Sequence, residues 1–142
     1  MQKPDHGWRE LTTDEIKRLL TTQKHGRLGL CDNGKPYVVP LSYGYGDGVI
    51  YFHSARSGRK LDVIGQNNQA CFEVDVWEKG WASVICCGRV TLRDDLEAKR
   101  KAFRLLMGAD VPEERLSKLS SYIGVINIEQ MTGRCSADFQ LN

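Results

Sequence analysis

The residues with the most chemistry in this chain lie between Tyr51 and Asp62. Ser54, Ser57, Gly58, Arg59 and Lys60 bring two hydroxyls, a glycine and two cations into one short stretch. Upstream, Val49, Ile50, Tyr51 and Phe52 are β-branched or aromatic and follow a Gly46-Asp47-Gly48 turn, so they read as a strand. Downstream, Leu61 and Ile64 are spaced three apart with polar Asp62 and Gln66 around them, which predicts a helix starting near Arg59. A polar loop between a strand and a helix start leaves backbone N–H groups unbonded and facing outward, the chemistry of an anion site. Arg59 and Lys60 sharpen that reading. The helix dipole disfavours a cation in this position by about 0.3–1 kcal/mol. A bound phosphate reverses the sign and takes charge-assisted hydrogen bonds from both side chains and from the serine hydroxyls. An ordinary solvated turn with two surface cations fits the same residues equally well.

The elements that must hold this loop can be read in order. Thr12 and Glu15 fit a capping box ahead of the apolar stripe Ile16, Leu19, Leu20, and Gly26 can end that helix. Arg27 to Cys31 reads as a strand, Asp32-Asn33-Gly34 as a hairpin turn, and Pro36 to Tyr43 as a second strand. Pro40 cannot donate to a ladder, which puts that strand at an edge or interrupts it. With the strand that enters the loop, these segments read as a β-meander. Ala70 to Val76 alternates cleanly and Ala82 to Leu92 is a long strand in which Gly88 marks a bulge or bend. Asp94 or Asp95 caps a helix that reaches Met107 and ends at Gly108. A short helix over Pro112 to Leu119 and a strand over Ile123 to Ile128 follow, and Cys135 to Leu141 either pairs as a last short strand or lies loose. The pattern is α+β and mainly antiparallel, a closed or partly closed barrel of six to seven strands with flanking helices.

Composition narrows the partners. A chain of 142 residues reads as a single domain, 1–142, with no internal repeat or linker. A net charge of +2 argues against nucleic acid, and no apolar run approaches a membrane span. Met1 to His6 has no apolar core and does not read as a signal peptide. Five cysteines without a CxxC spacing read as buried free thiols of a reducing cytoplasm, with adjacent Cys86 and Cys87 on opposite faces of their strand. His6, His25 and His53 do not cluster with them, so no metal site is expected; His6 and His25 read as surface residues.

Taken in order, several short segments resemble the FMN-binding split barrels of the pyridoxamine 5′-phosphate oxidase-like superfamily, and within it the 5-nitroimidazole-resistance (Nim-type) flavin-binding proteins. The carriers are Gly26-Arg27-Leu28-Gly29, Pro36 to Tyr43, Ile50 to Asp62, Ser83-Val84-Ile85 with Gly88-Arg89, and Thr132-Gly133-Arg134, within a resemblance that runs from about Arg9 to Arg134. It implies a split β-barrel and a cytoplasmic homodimer with FMN at the subunit interface. Val39, Pro40, Leu41 and Ser42 would lie along the flavin ring, largely through backbone. Phe52, His53, Ser54, Ala55, Gly58, Arg59 and Lys60 would surround the cofactor, the loop residues holding its phosphate. Ser83 and Val84 would approach the flavin of the other subunit.

His53 matches the histidine proposed to act at the Nim-type site, where a neutral imidazole beside a reduced flavin can donate a proton. The other reading, which these residues favour for catalysis, is a histidine that packs at the strand end and hydrogen-bonds the backbone or the flavin, still beside the cofactor. The implied activity is an oxidoreductase passing electrons from NAD(P)H through FMN to a small electrophile such as a nitro-aromatic. A non-catalytic flavin sensor or carrier, and a haem- or deazaflavin-binding split barrel, are the alternatives. Two departures bear on this. Trp81-Ala82-Ser83-Val84 lacks the arginine of the Tyr-Arg-Ser-Val pattern, and Ala137 to Asn142 lacks the Arg-Leu-Ala-Pro-like ending of pyridoxamine phosphate oxidases, which argues against that activity.

Overall fold

The computed structural model describes residues 7–141; Met1 to His6, including His6 itself, and Asn142 lie outside the described residues. The chain runs β1 (Trp8–Glu10), α1 (Thr13–Thr22), β2 (His25–Asp32), β3 (Lys35–Ser42), β4 (Gly44–Gly46), β5 (Val49–Ser54), α2 (Arg59–Gln66), β6 (Gln69–Val76), β7 (Ala82–Arg93), α3 (Leu96–Met107), α4 (Glu113–Ser117) and β8 (Tyr122–Ser136). One eight-stranded sheet orders them β3-β2-β6-β7-β8-β5-β4, with β1 added alongside β8. Every pairing is antiparallel.

Local chemistry places most of the boundaries. Thr12 caps α1 through the Glu15 N–H (3.2 Å), and the Glu15 carboxylate accepts from the Thr12 N–H (2.9 Å). Asn33 and Gly34 both take positive φ, 50° and 76°, the two-residue turn that suits the twist of a hairpin. Asp95 caps α3 through the Ala98 N–H (3.2 Å), and Gly108 ends it at φ 73°. The β7–β8 register shifts between Cys87 and Gly88, so Gly88 is the bulge. A Cβ there would collide with the Asn127 carbonyl oxygen.

The expected meander does not form. β3 lies at one edge of the sheet, and β4 and β5 lie at the other, yet only Tyr43 separates β3 from β4 in sequence. The two edges must therefore meet at Tyr43, and the sheet curls into an open barrel. Tyr43 is the corner piece. It is 3% exposed, its hydroxyl donates to the Leu20 carbonyl (2.7 Å), its N–H donates to the Lys24 carbonyl (3.0 Å), and its ring meets Phe72 edge-on at 5.2 Å. The barrel interior is filled by Leu28, Ile50, Phe52, Phe72, Val74, Val84 and Ile126, plugged by Leu19 and Leu20 of α1 and Val63 and Ile64 of α2. A second, smaller cluster lies where α3 sets Ala98 and Ala102 against Ile123 and Val125. The Nζ of buried Lys99 donates to the Leu119 carbonyl (2.6 Å), joining α3 to the end of the α4 segment. Pro40 sits in an unbroken edge strand, opposite Arg27. β8 is longer than the expected Ile123–Ile128 strand and takes in Cys135, while Phe139 beyond it is buried. Among the described residues no helix is long and apolar enough to cross a membrane.

Arg9 of β1 grips Glu15 with two hydrogen bonds of 2.9 Å. That pairing first, and the Thr12 amide second, hold the Glu15 carboxyl down at about 2. A carboxyl whose pKa falls on folding stabilises the native state above its unfolded value, near 4.3, and loses that contribution as pH falls toward 2. Glu15→Gln is expected to melt below the parent at pH 7, and the gap should close between pH 4.5 and 2, followed by thermal unfolding across pH. Gly88→Ala should cost about 1–3 kcal/mol through overpacking, whereas Gly29→Ala, whose Cβ meets nothing closer than the Cys71 carbonyl at 3.5 Å, should cost less; urea midpoints compare the two.

Candidate functional site

The loop from Ser54 to Gly58 is short and constrained at both ends. Ser54 is 4% exposed, and its hydroxyl donates to the Ala55 carbonyl (3.1 Å). Ala55, Arg56, Ser57, Gly58 and Arg59 are exposed. Gly58 takes φ 130°, a conformation L side chains rarely adopt, with open space where a Cβ would stand. It occupies the N-cap of α2, and no side chain caps the helix. The first amides of α2 therefore lack the partner a Ser, Thr or Asp would supply.

The three cations of the loop behave differently. Arg56 is committed to structure: its guanidinium donates to the Ser120 carbonyl, pairs with Asp94 (3.3 Å) and lies 4.6 Å over the Tyr122 ring. Arg59 and Lys60 pair with no carboxylate among the described residues. Arg59 lies over the ring of Tyr37 (5.7 Å), and Lys60 over Phe52 (5.8 Å). Burial pushes the Lys60 ammonium below its usual pKa. A half-buried cation and an exposed one thus stand unneutralised at the positive end of a helix dipole, an arrangement that raises local potential and favours an anion.

Tyr37 links the loop to β3, so the start of α2 sits against that edge strand. Along β3 the side chains alternate. Val39 and Leu41 pack on the core, while Pro40 and Ser42 face out. Among the described residues β3 pairs only with β2, which leaves backbone groups on its other side free of a strand partner there. Phe52 is fully buried beneath Lys60 and presents no surface of its own.

His53 points the other way. Neighbouring Phe52 and Ser54 face the interior, and exposed His53 stacks on Phe103 of α3 at 5.7 Å, with 27° between planes. The structure therefore brings Arg59 to β3 through Tyr37, sets Lys60 over Phe52, turns Ser54 into the interior and turns His53 to the α3 side of β5. Ser83 lies elsewhere again. It lines an open cleft of about 550 Å³ with Glu10, Thr13, Ile85, Thr132 and Arg134. Ser83 and Arg134 are register partners across β7–β8, and the Arg134 guanidinium lies 4.4 Å over the Trp8 ring. Val84 is fully buried and faces the barrel core, so its side chain is not available to a ligand. Tyr37, Glu10 and Thr13 were not among the expected site residues; only long-range pairing brings them there, and no local pattern signals it.

A family model described as pyridoxamine 5′-phosphate oxidase matches residues 12–135. The chain belongs to that family. Among solved structures, an FAD-binding protein from Mesorhizobium loti is 29% identical, with 92% of this chain and 99% of that one covered and a TM-score of 0.75. A candidate 5-nitroimidazole antibiotic resistance protein from Bacteroides thetaiotaomicron is 23% identical over 92% and 89% of the two chains, with a TM-score of 0.78. The FAD-binding protein from Mycobacterium smegmatis is 21% identical over 93% and 100%, with a TM-score of 0.72. At 25% identity over 83 residues, an uncharacterized protein of Rhizobium meliloti matches 57% of this chain; the chain spans about half the length of that curated relative. The split-barrel fold is thus shared with proteins described as binding FAD.

If the α2 start takes an anion, inorganic phosphate should raise the melting temperature of the ligand-free protein. A ligand at ten times its dissociation constant contributes about 1.4 kcal/mol. Arg59→Gln with Lys60→Gln should abolish that protection while leaving the melting point without phosphate within about 1 kcal/mol of the parent. Protection that survives the double substitution would place the anion elsewhere.

Proposed function

We propose that this chain is an FMN-binding oxidoreductase that works as a homodimer and reduces small electrophiles, such as nitro-aromatics, with electrons from NAD(P)H. The observation that carries the reading is the pair of unneutralised cations, Arg59 and Lys60, at the uncapped start of α2 and beside the free edge of β3. A phosphate monoester fits there. It would take hydrogen bonds from the α2 amides and both side chains, and the positive-φ Gly58 lets the backbone approach it closely. The Val39–Ser42 backbone offers an edge for a planar ring, and Pro40 leaves one N–H out of that edge. Ala55 and Ser57, both exposed in the loop, flank the phosphate position.

FMN, when bound, supplies the hydride and electron-transfer chemistry of this reading. The chain's own residues bind the phosphate and orient the ring along the β3 edge beside Tyr37. FAD contains the same riboflavin-phosphate unit, so the cation pair serves either flavin; the single-phosphate reach of one short loop favours FMN. Ser83, Thr132 and Arg134 complete the site from the second subunit, through the cleft at that end of β7 and β8, where Ile85 is 44% exposed. His53, stacked on Phe103, supports β5 against α3 in this reading and moves no proton.

Natively purified protein should show a two-banded flavin spectrum, release FMN on denaturation and sediment as a dimer. NADPH or NADH should bleach the bound flavin, and a nitro-aromatic should restore it. Flavin that neither nucleotide reduces would make the chain a carrier or sensor, released FAD would replace FMN, and a Soret band would replace flavin with haem. Arg59→Ala with Lys60→Ala should weaken FMN binding by about 1.5–3 kcal/mol for each charged hydrogen bond lost; an unchanged dissociation constant would remove the loop from the site.

A further inference from the structure

The five cysteines divide by the face of the sheet they occupy. Cys86 and Cys135 are fully buried and serve packing. The other three depart from the expectation of buried thiols: Cys71 is exposed, and Cys31 and Cys87 are half-buried. All three line one groove of about 470 Å³ on the outer face, walled by Tyr37 and Val38 of the edge strand. Within it Cys71 of β6 and Cys87 of β7 are direct register partners, and their sulfurs stand 3.0 Å apart.

Directly opposed residues of an antiparallel pair have Cα atoms about 4.5–5.5 Å apart, inside the range a disulfide requires. Two glycines clear the surroundings. Gly29 is the β2 partner of Cys71, and its missing side chain leaves that flank of the thiol open. Gly88 follows Cys87 at the bulge, where the ladder to β8 is already interrupted and the strand can adjust.

We propose that Cys71 and Cys87 form a reversible cross-strand dithiol–disulfide couple, a modification site opening on the outer groove and accessible to small-molecule disulfides. The step is thiol–disulfide exchange. One protein thiolate attacks a sulfur of the small disulfide, forming a mixed disulfide and expelling one small thiolate. The second protein thiolate then attacks the protein sulfur of that mixed disulfide, forming the Cys71–Cys87 bond and expelling the other small thiolate. Two protons leave the protein thiols, and the two electrons they give up reduce the small disulfide to two thiols. Hydrogen bonding to Cys87 first, then burial, push the Cys71 thiol up to about 11. At neutral pH the Cys71 thiol is therefore protonated and a poor nucleophile, which makes the bond a couple set by the surrounding thiol–disulfide ratio rather than a fast scavenger.

The test uses the full-length protein and oxidised glutathione, and it does not depend on any flavin. After equilibration, acid quench, unfolding and alkylation, the parent should show two fewer reactive thiols of its five. Peptide mapping should join Leu61–Lys79 to Gly80–Arg89, with fragmentation assigning the bond to Cys87 rather than Cys86. The change should reverse with dithiothreitol, vanish in Cys71→Ser and in Cys87→Ser, and persist in Cys31→Ser. Oxidation should also raise the melting temperature of the parent and not of Cys71→Ser. Five reactive thiols after equilibration, a bond to Cys31 or Cys86, or a bond between two chains on a non-reducing gel would each overturn the proposal. Mapping of the parent stands by itself should a serine variant fail to fold.

Discussion

The fold depends on a corner of one residue. Because Tyr43 alone separates a strand at one edge of the sheet from a strand at the other, the sheet cannot lie flat. The Tyr43 side chain then fixes the curl by reaching into the barrel, bonding the Leu20 carbonyl at the end of α1 and packing against Phe72. A buried hydroxyl without its partner is costly, so this bond specifies which helix end plugs which part of the barrel. Burial also raises the Tyr43 phenol pKa and keeps it a neutral donor. With the edges together, the start of α2 is carried to the side of β3, where Arg59 meets Tyr37 from far earlier in the sequence.

The outer face of the sheet is organised by charge as much as by shape. Arg27 of β2 answers two acidic neighbours on β6, Glu73 through its Nε at 2.7 Å and Asp75 at 3.0 Å. One guanidinium shared by two carboxylates leaves the group short of a cation, and burial followed by the Asp75 neighbour raises the Glu73 pKa. Among the described residues, neither Arg59 nor Lys60 forms an ion pair with this acidic patch, which is answered by Arg27. Distributing charges in this way costs little in a protein of net charge +2, yet it gives each surface a distinct potential.

Features decided within a few residues were legible in the sequence. The Thr12–Glu15 capping box, the Asn33-Gly34 turn, the Asp95 cap, the Gly88 bulge and the strand–loop–helix around Ser54 to Lys60 all stand where their local chemistry puts them. Features decided by strand order were not. The meander reading failed because short turns usually join neighbours, and Tyr43 instead joins opposite edges. Trp8–Glu10 and Gly44–Gly46 are three-residue strands that carry no periodicity and exist only because β8 and β5 pair with them. The orientation of His53 and the burial of Val84 follow from which face of each strand closes on the core, and a period of two leaves that choice open. Likewise, five scattered cysteines give no hint that two of them share a register.

Arg56 gives the loop a property that its neighbours lack. Its guanidinium ties the segment to the Ser120 carbonyl, Asp94 and Tyr122, all belonging to the stretch that carries α3 and α4. The loop therefore hangs between two layers: one end is set by the barrel and the middle by the helical flank. Asp94 precedes α3, and Ser120 and Tyr122 follow α4, so substitutions at these three positions act on the anchor behind Arg59 and Lys60. A change on that flank therefore alters the support of the loop without altering any residue of the loop itself.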